Sequence, residues 1–292
     1  MSASKNILIP SASLILTDYL PAGEGIIAYN LLQYLSRMDN NIIAMSPKIL
    51  VDRQIDNVQA IELGGLEFFP APDEYNYLIR WRKYCKYTEK YIRAVFRNYE
   101  FDIIHHMLPV NFNQSYSPIL QKPFVIGPVF HPWIDIDDSE YSGAEITASS
   151  DNFIIRKIKN RIIRYLKARN KRRFDETFKF ADKIIITLDC VKKFIDKEFH
   201  HKTVKIPVGT DTSYFTPAPE LPDNNTILFL AYLVKRKGLK YLIESLDIIR
   251  KRIPDVKLLV VGSGPDKDYF VKIAENLRLT GHIEFIENVG HN

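Results

Sequence analysis

Two junctions, each between an apolar β-type run and a helical pattern, carry the residues best suited to chemistry. Lys237 and Gly238 follow the run Ile227–Leu230 and precede a helical stripe of Leu239, Leu242, Leu246 and Ile249. At such a junction the first backbone N–H groups of the helix lack partners and the helix dipole is positive, so an anion is favoured and a lysine can pair with a diphosphate. On spacing alone this role and that of a solvated lysine at a helix start weigh equally. At the second junction stands Gly262-Ser263-Gly264-Pro265. Its spacing begins a dinucleotide fingerprint, but the third glycine would fall at Lys267, so a tight strand-to-helix turn is the better reading.

Histidine supplies the remaining acid-base candidates, because its charge changes near neutral pH. His131 follows a predicted strand at Phe124–Gly127, and His105 closes another at Asp102–His105. A histidine at a strand end is more often a hydrogen-bonded structural residue, which places His131 first and His105 second as catalytic candidates. Gly23 and Gly25 flank Glu24 where the first helix opens. Two glycines there allow a close backbone approach to an acceptor or a donor phosphate, or simply start the helix, and the two readings weigh evenly.

The elements that must position these residues alternate in type, short β-rich runs with helical stripes, which is the pattern of βα units around a parallel sheet. Strands are predicted at Asn6–Ile9, Asn41–Met45, Val58–Leu63, Asp102–His105, Phe124–Ile126 and Lys183–Thr187, with helices from Gly23 and between Tyr75 and Arg97. A second cycle begins near Thr226, with strands Ile227–Leu230, Val256–Val261 and Ile283–Ile286 and helices from Gly238 and after Pro265. Between the cycles, Thr216–Asn225 holds Pro217, Pro219 and Pro222 among polar residues, a linker composition. The domains are therefore set at 1–215 and 226–292, joined by 216–225.

With 292 residues, 46% of them hydrophobic and 26% charged, the chain can bury two ordinary cores. Its net charge of +5 favours anionic partners without choosing among them. Cys85 and Cys190 form no metal-spaced or redox pair, which fits a reducing, cytoplasmic compartment. Met1–Leu16 makes a poor signal peptide, and no apolar run reaches transmembrane length, so membrane contact would be peripheral. From Arg156 to Arg173 there are ten Lys or Arg and no Asp or Glu, while Ile155, Ile158, Ile162 and Leu166 form a stripe. This basic amphipathic helix, within 153–173, suits anionic lipid headgroups, yet packing of its stripe on the first domain is preferred, with lipid contact possible at the same time. It lacks the aromatic platforms of single-strand nucleic-acid binders, which argues against nucleic acid.

Three segments in order resemble the retaining GT-B glycosyltransferases of the glycosyl transferases group 1 (family 4) type. They are Lys205-Ile206-Pro207-Val208-Gly209-Thr210-Asp211 through Phe215, Leu233-Val234-Lys235-Arg236-Lys237-Gly238, and Val260-Val261-Gly262-Ser263-Gly264-Pro265. The resemblance implies an α/β GT-B fold of two Rossmann-like doubly wound domains facing a cleft, the second incomplete. It also implies transfer of a sugar from a nucleoside-diphosphate sugar to a hydroxyl of a glycan or lipid-linked acceptor, with retention. By the same resemblance Lys237 and Gly238 take the donor diphosphate, Gly262 and Gly264 shape the nucleotide side, Asn288 lies near the base, and His131 faces the sugar.

The chain departs from the family pattern in two places. Tyr232 stands where the family has an arginine and Ala231 where it has a glycine, which leaves the second charge to Arg236 or to a partner. The family's paired-glutamate signature does not occur here, so an inactive truncated fragment and a non-catalytic nucleotide- or membrane-binding module stay open as alternatives. No metal or cofactor is expected beyond the donor substrate; Asp135-Ile136-Asp137 has a metal-bridging spacing, but solvation is its better reading.

Overall fold

Strict alternation along short β-branched runs puts successive side chains on opposite faces of a sheet, and the first domain is built on that period. In the computed structural model, which describes residues 4–19, 23–64, 74–107, 116–130, 153–212, 215–217 and 225–287, β1 (Asn6–Ile9) sends Ile7 and Ile9 into one core and Leu8 into another. Strand β3 (Asn41–Ser46) divides likewise, Ile42 and Ala44 to one side and Ile43 and Met45 to the other. Burial on both faces is what a parallel sheet covered by helices requires.

Seven strands form that sheet in the order β5-β3-β1-β6-β7-β8-β9, every neighbouring pair parallel. The others are β5 (Val58–Glu62), β6 (Ile103–His106), β7 (Phe124–Val129), β8 (Lys183–Ile186) and β9 (Thr203–Lys205). The order steps outward in both directions from β1, which makes the sheet doubly wound. Helix α1 (Gly23–Ser36) covers one face through Ala28, Tyr29 and Leu32. Helices α2 (Glu74–Val95) and α3 (Phe153–Phe180) cover the other, where Trp81, Tyr84, Phe174 and Phe178 meet Leu8, Phe124 and Ile126. A small parallel pair, β2 (Ile15–Thr17) with β4 (Lys48–Leu50), lies beside α1.

Chain contacts divide the described residues into one unit ending at Gly209 and another beginning at Thr210. The second unit has three parallel strands in the order β10-β11-β12: β10 (Thr226–Leu230), β11 (Lys257–Val261) and β12 (Ile283–Ile286). Helices α4 (Leu239–Ile249) and α5 (Lys267–Asn276) pack on one face through Leu239, Ile243, Leu246, Phe270 and Ala274. Along β10, Ile227 and Phe229 join that core, while Leu228 and Leu230 are 61% and 67% exposed on the opposite face.

Of the stripe Ile155, Ile158, Ile162 and Leu166, expected to pack on the first domain, Leu166 does so and Ile158 and Ile162 do not. Ile158 and Ile162 are 56% and 38% exposed, and the face that packs runs through Ile163, Leu166, Asn170, Phe174, Thr177 and Phe178. The reason is register: the cluster Phe174-Phe178 docks on the sheet, and following its face toward the N-terminus at 100° per residue leads to Leu166 and Ile163, leaving Ile158 and Ile162 outside. The side chain of Ile155 lies outside the described residues. No described helix is long and apolar enough to cross a membrane.

Candidate functional site

In open α/β sheets ligands sit beyond the carboxyl ends of the strands, so the loops after β10 and β11 define the candidate site in the second unit. Two backbone hydrogen bonds stitch these loops together, Leu233 N–H donating to Ser263 O (2.8 Å) and Asp266 N–H to Leu233 O (3.2 Å), while Gly262 N–H donates to Ile286 O at the end of β12 (2.8 Å). Asp266 also takes the Lys235 N–H on its Oδ2 at 2.8 Å. The loops lie so close that a Cβ on Gly264 would stand 2.6 Å from Leu233 N and nearer still to its carbonyl. Gly262, at φ +143°, faces the Ala231 carbonyl in the same way. Both glycines are therefore required by loop-on-loop packing, as a tight strand-to-helix turn demands.

Within this frame, Lys235–Lys237 form a single 3-10 turn, and Gly238 adopts φ +80° as it hands the chain to α4. The N–H groups of Lys237 and Gly238 are used inside the turn, donating to Val234 O and Lys235 O at 3.0 Å each. The partnerless N–H groups expected here are thus those of Leu239 and Lys240, since no side chain caps α4. Of the turn's cations, Lys235 is held over the Tyr269 ring, 4.9 Å from its centroid. Lys237 is exposed and has no ion-pair partner among the described residues. A bare ammonium beside an uncapped helix start is an arrangement that attracts a phosphate. Tyr232, at the end of this loop's first stretch, is exposed.

In the first unit, the predicted glycines separate. A Cβ on Gly25 would meet Thr17 Cγ2 at 2.9 Å and the Ile15 carbonyl closer still, so Gly25 serves the contact of α1 with β2 and not a ligand. Gly23 has open space around the position of a Cβ. Between them, Glu24 is half-buried with no hydrogen-bond or ion-pair partner among the described residues, and burial raises its carboxyl to about 7. Helix composition gave no sign of this, because a glutamate in a first helical turn ordinarily reads as a solvated dipole partner.

His105 is a strut. Its Nε2 lies 2.7 Å from Gly127 O on the neighbouring strand, at the point where the register of β7 against β8 shifts. Burial lowers its pKa to about 4 despite that bond, so the ring is neutral across the physiological range, with Nε2–H as donor. A group so committed is poorly placed to exchange protons, which favours the structural reading of a strand-end histidine over the acid-base one. His131, Asn288 and Asp135-Ile136-Asp137 lie outside the described residues. Among those described, no three His, Cys, Asp or Glu side chains converge in a metal-binding group.

Residues 213–292 match the family model Glycosyl transferases group 1. A GDP-mannose-dependent alpha-(1-6)-phosphatidylinositol monomannoside mannosyltransferase of Mycolicibacterium smegmatis is 33% identical over 94 residues, which is 29% of this chain and 25% of that protein. A phosphatidyl-myo-inositol mannosyltransferase of the same organism is 34% identical over 110 residues, 36% of this chain and 28% of that protein. The matches thus span about a quarter of the length of these curated relatives. Two solved structures align along nearly the whole chain, each with a TM-score of 0.58. Sucrose-phosphate synthase from Thermosynechococcus elongatus is 16% identical, with 99% of this chain and 71% of that one covered. WaaG, a glycosyltransferase involved in lipopolysaccharide biosynthesis, is 13% identical, with 97% and 70% covered. At these identities the likeness establishes the fold: two Rossmann-like units of GT-B type.

Proposed function

We propose that the chain transfers a glycosyl unit from a nucleoside-diphosphate sugar to a hydroxyl of a glycan or lipid-linked acceptor, with retention of configuration. The observation that carries this reading is Lys237, exposed and without an ion-pair partner among the described residues, beside the uncapped start of α4 and inside the segment that matches the family model. Negative charge develops on the departing diphosphate, and a cation and helix N–H groups already in place stabilise it without reorganising. Lys237 and Gly238 hold the diphosphate. Gly262 and Gly264 keep the β11 loop close enough to form the nucleotide side, and the base is assigned to Asn288. The first unit takes the acceptor, with Gly23 at its open helix start, and His131 is assigned the role of acting on the sugar. The enzyme works at an anionic membrane surface reached through residues 153–173, on the cytoplasmic side.

The similarity to a GDP-mannose-dependent phosphatidylinositol monomannoside mannosyltransferase and to a phosphatidyl-myo-inositol mannosyltransferase makes GDP-mannose the first donor, and phosphatidylinositol and its monomannoside the first acceptors, to try. The test is turnover across UDP-, GDP- and ADP-sugars, with the anomeric configuration of the product read by NMR. Retained configuration, with turnover lowered about 100-fold in Lys237→Ala, is expected. Inverted product would overturn retention. Binding without turnover would leave a nucleotide-binding module, and absence of both would leave only the fold.

A further inference from the structure

We infer that the N-terminal half of α3 presents a bilayer-docking face made of Ile158, Ile162 and Tyr165 among Lys157, Arg161, Arg164 and Arg169. This deepens the membrane contact proposed above by assigning it a surface, and it stands or falls without reference to any sugar nucleotide. The C-terminal half of the helix is anchored by Phe174 and Phe178, both buried. At 100° per residue, Ile158, Ile162 and Tyr165 fall on one stripe that points well away from the packed face. They are 56%, 38% and 61% exposed. The packed face carries Ile163 and Leu166, so the stripe has no role in holding the helix to the sheet.

The cations beside the stripe are not neutralised. Lys157, Arg161, Arg164 and Arg169 are exposed and make no ion pair among the described residues. The first carboxylates of the helix, Asp175 and Glu176, come later and are taken by Lys171 at 3.0 Å and Arg172 at 3.6 Å. A solvated helix face gains nothing from exposing isoleucines, and a nucleic-acid face gains little from them, since aliphatic side chains neither pair with phosphate nor stack on bases. An anionic bilayer takes both components, the cations at the headgroups and the isoleucines and tyrosine ring at the acyl boundary. A second copy of the same face would bring like charges together.

Co-sedimentation with phosphatidylcholine vesicles, alone or with 30 mol% phosphatidylglycerol, tests the assignment. Three variants are compared with the wild type: Ile158→Ser with Ile162→Ser and Tyr165→Ser; Arg161→Gln with Arg164→Gln and Arg169→Gln; and, as a control in the second unit, the exposed pair Lys251→Gln with Arg252→Gln. Circular dichroism checks that each is folded. The expected result is wild-type binding to anionic vesicles only, weakened tenfold or more by each of the first two sets and much less by the control. Equal partition to both vesicles, no wild-type binding, or full binding by the serine set would overturn it; the last would mark a purely electrostatic contact such as nucleic acid.

Discussion

Lys237 shows what a single residue's setting adds to its type. Its position between strand and helix is plain in the sequence, but its freedom is not, because Lys235 and Lys237 differ only in what folds around them: the Tyr269 ring takes the Lys235 ammonium, and Lys237 has no ion-pair partner among the described residues. Glu24 and His105 teach the same lesson through burial. Glu24, raised to about 7, takes up a proton on folding, so its contribution is fully present below its ordinary value of 4.5 and is lost as pH rises through 7. Glu24→Gln should therefore stabilise the chain by about 2 kcal/mol at pH 8 and change little at pH 4.5, as read by urea unfolding. An equal effect at both pH values would show that the carboxyl ionises freely. His105 has the opposite sign. Its folded value near 4 lies below the ordinary 6.5, so its contribution is present above 6.5 and is lost as pH falls toward 4.

At the scale of elements, the strands were legible and the close approaches between loops were not. Short apolar runs such as Asn6–Ile9 and Ile283–Ile286 are bounded clearly enough by polar residues and turns to be placed to the residue. Three-residue strands such as β2, β4 and β9 carry too few positions for a period to show and went unpredicted. The stripe of α3 packs at Leu166 but not at Ile158 and Ile162 for a related reason: a repeat of isoleucines marks an apolar face, but only the anchoring of Phe174 and Phe178 decides which face meets the sheet. The glycines give a direct contrast. Gly25→Ala drives a methyl into the Ile15 carbonyl and should destabilise the first unit by about 3 kcal/mol, whereas Gly23→Ala meets nothing and should lie within about 0.5 kcal/mol of wild type. Chemical denaturation of both variants checks this. Gly264→Ala, clashing with Leu233, should loosen the β10 and β11 loops together and weaken nucleotide binding without moving the melting of the first unit.

For the whole molecule, the two-cycle organisation was readable from the alternation of elements, and the solved GT-B structures bear out the fold. Which faces stay uncovered required the structure. Strand β10 has one neighbour among the described residues and exposes Leu228 and Leu230, a flat apolar edge of the kind that pairs with other chains. Leu228→Lys with Leu230→Lys should reduce concentration-dependent association in sedimentation velocity while costing less than about 1 kcal/mol of stability, since neither side chain is buried. The central claim is that the second unit holds a donor diphosphate on Lys237. It is tested most directly by isothermal titration of the chain with GDP-mannose, UDP-glucose and ADP-glucose, beside Lys237→Ala and Lys251→Ala; Lys251 is a cation paired with Asp247 away from the loop. Binding of at least one nucleotide sugar, weakened about tenfold or more by Lys237→Ala and unchanged by Lys251→Ala, is the predicted result. Equal weakening by both variants, or affinity untouched by Lys237→Ala, would contradict it.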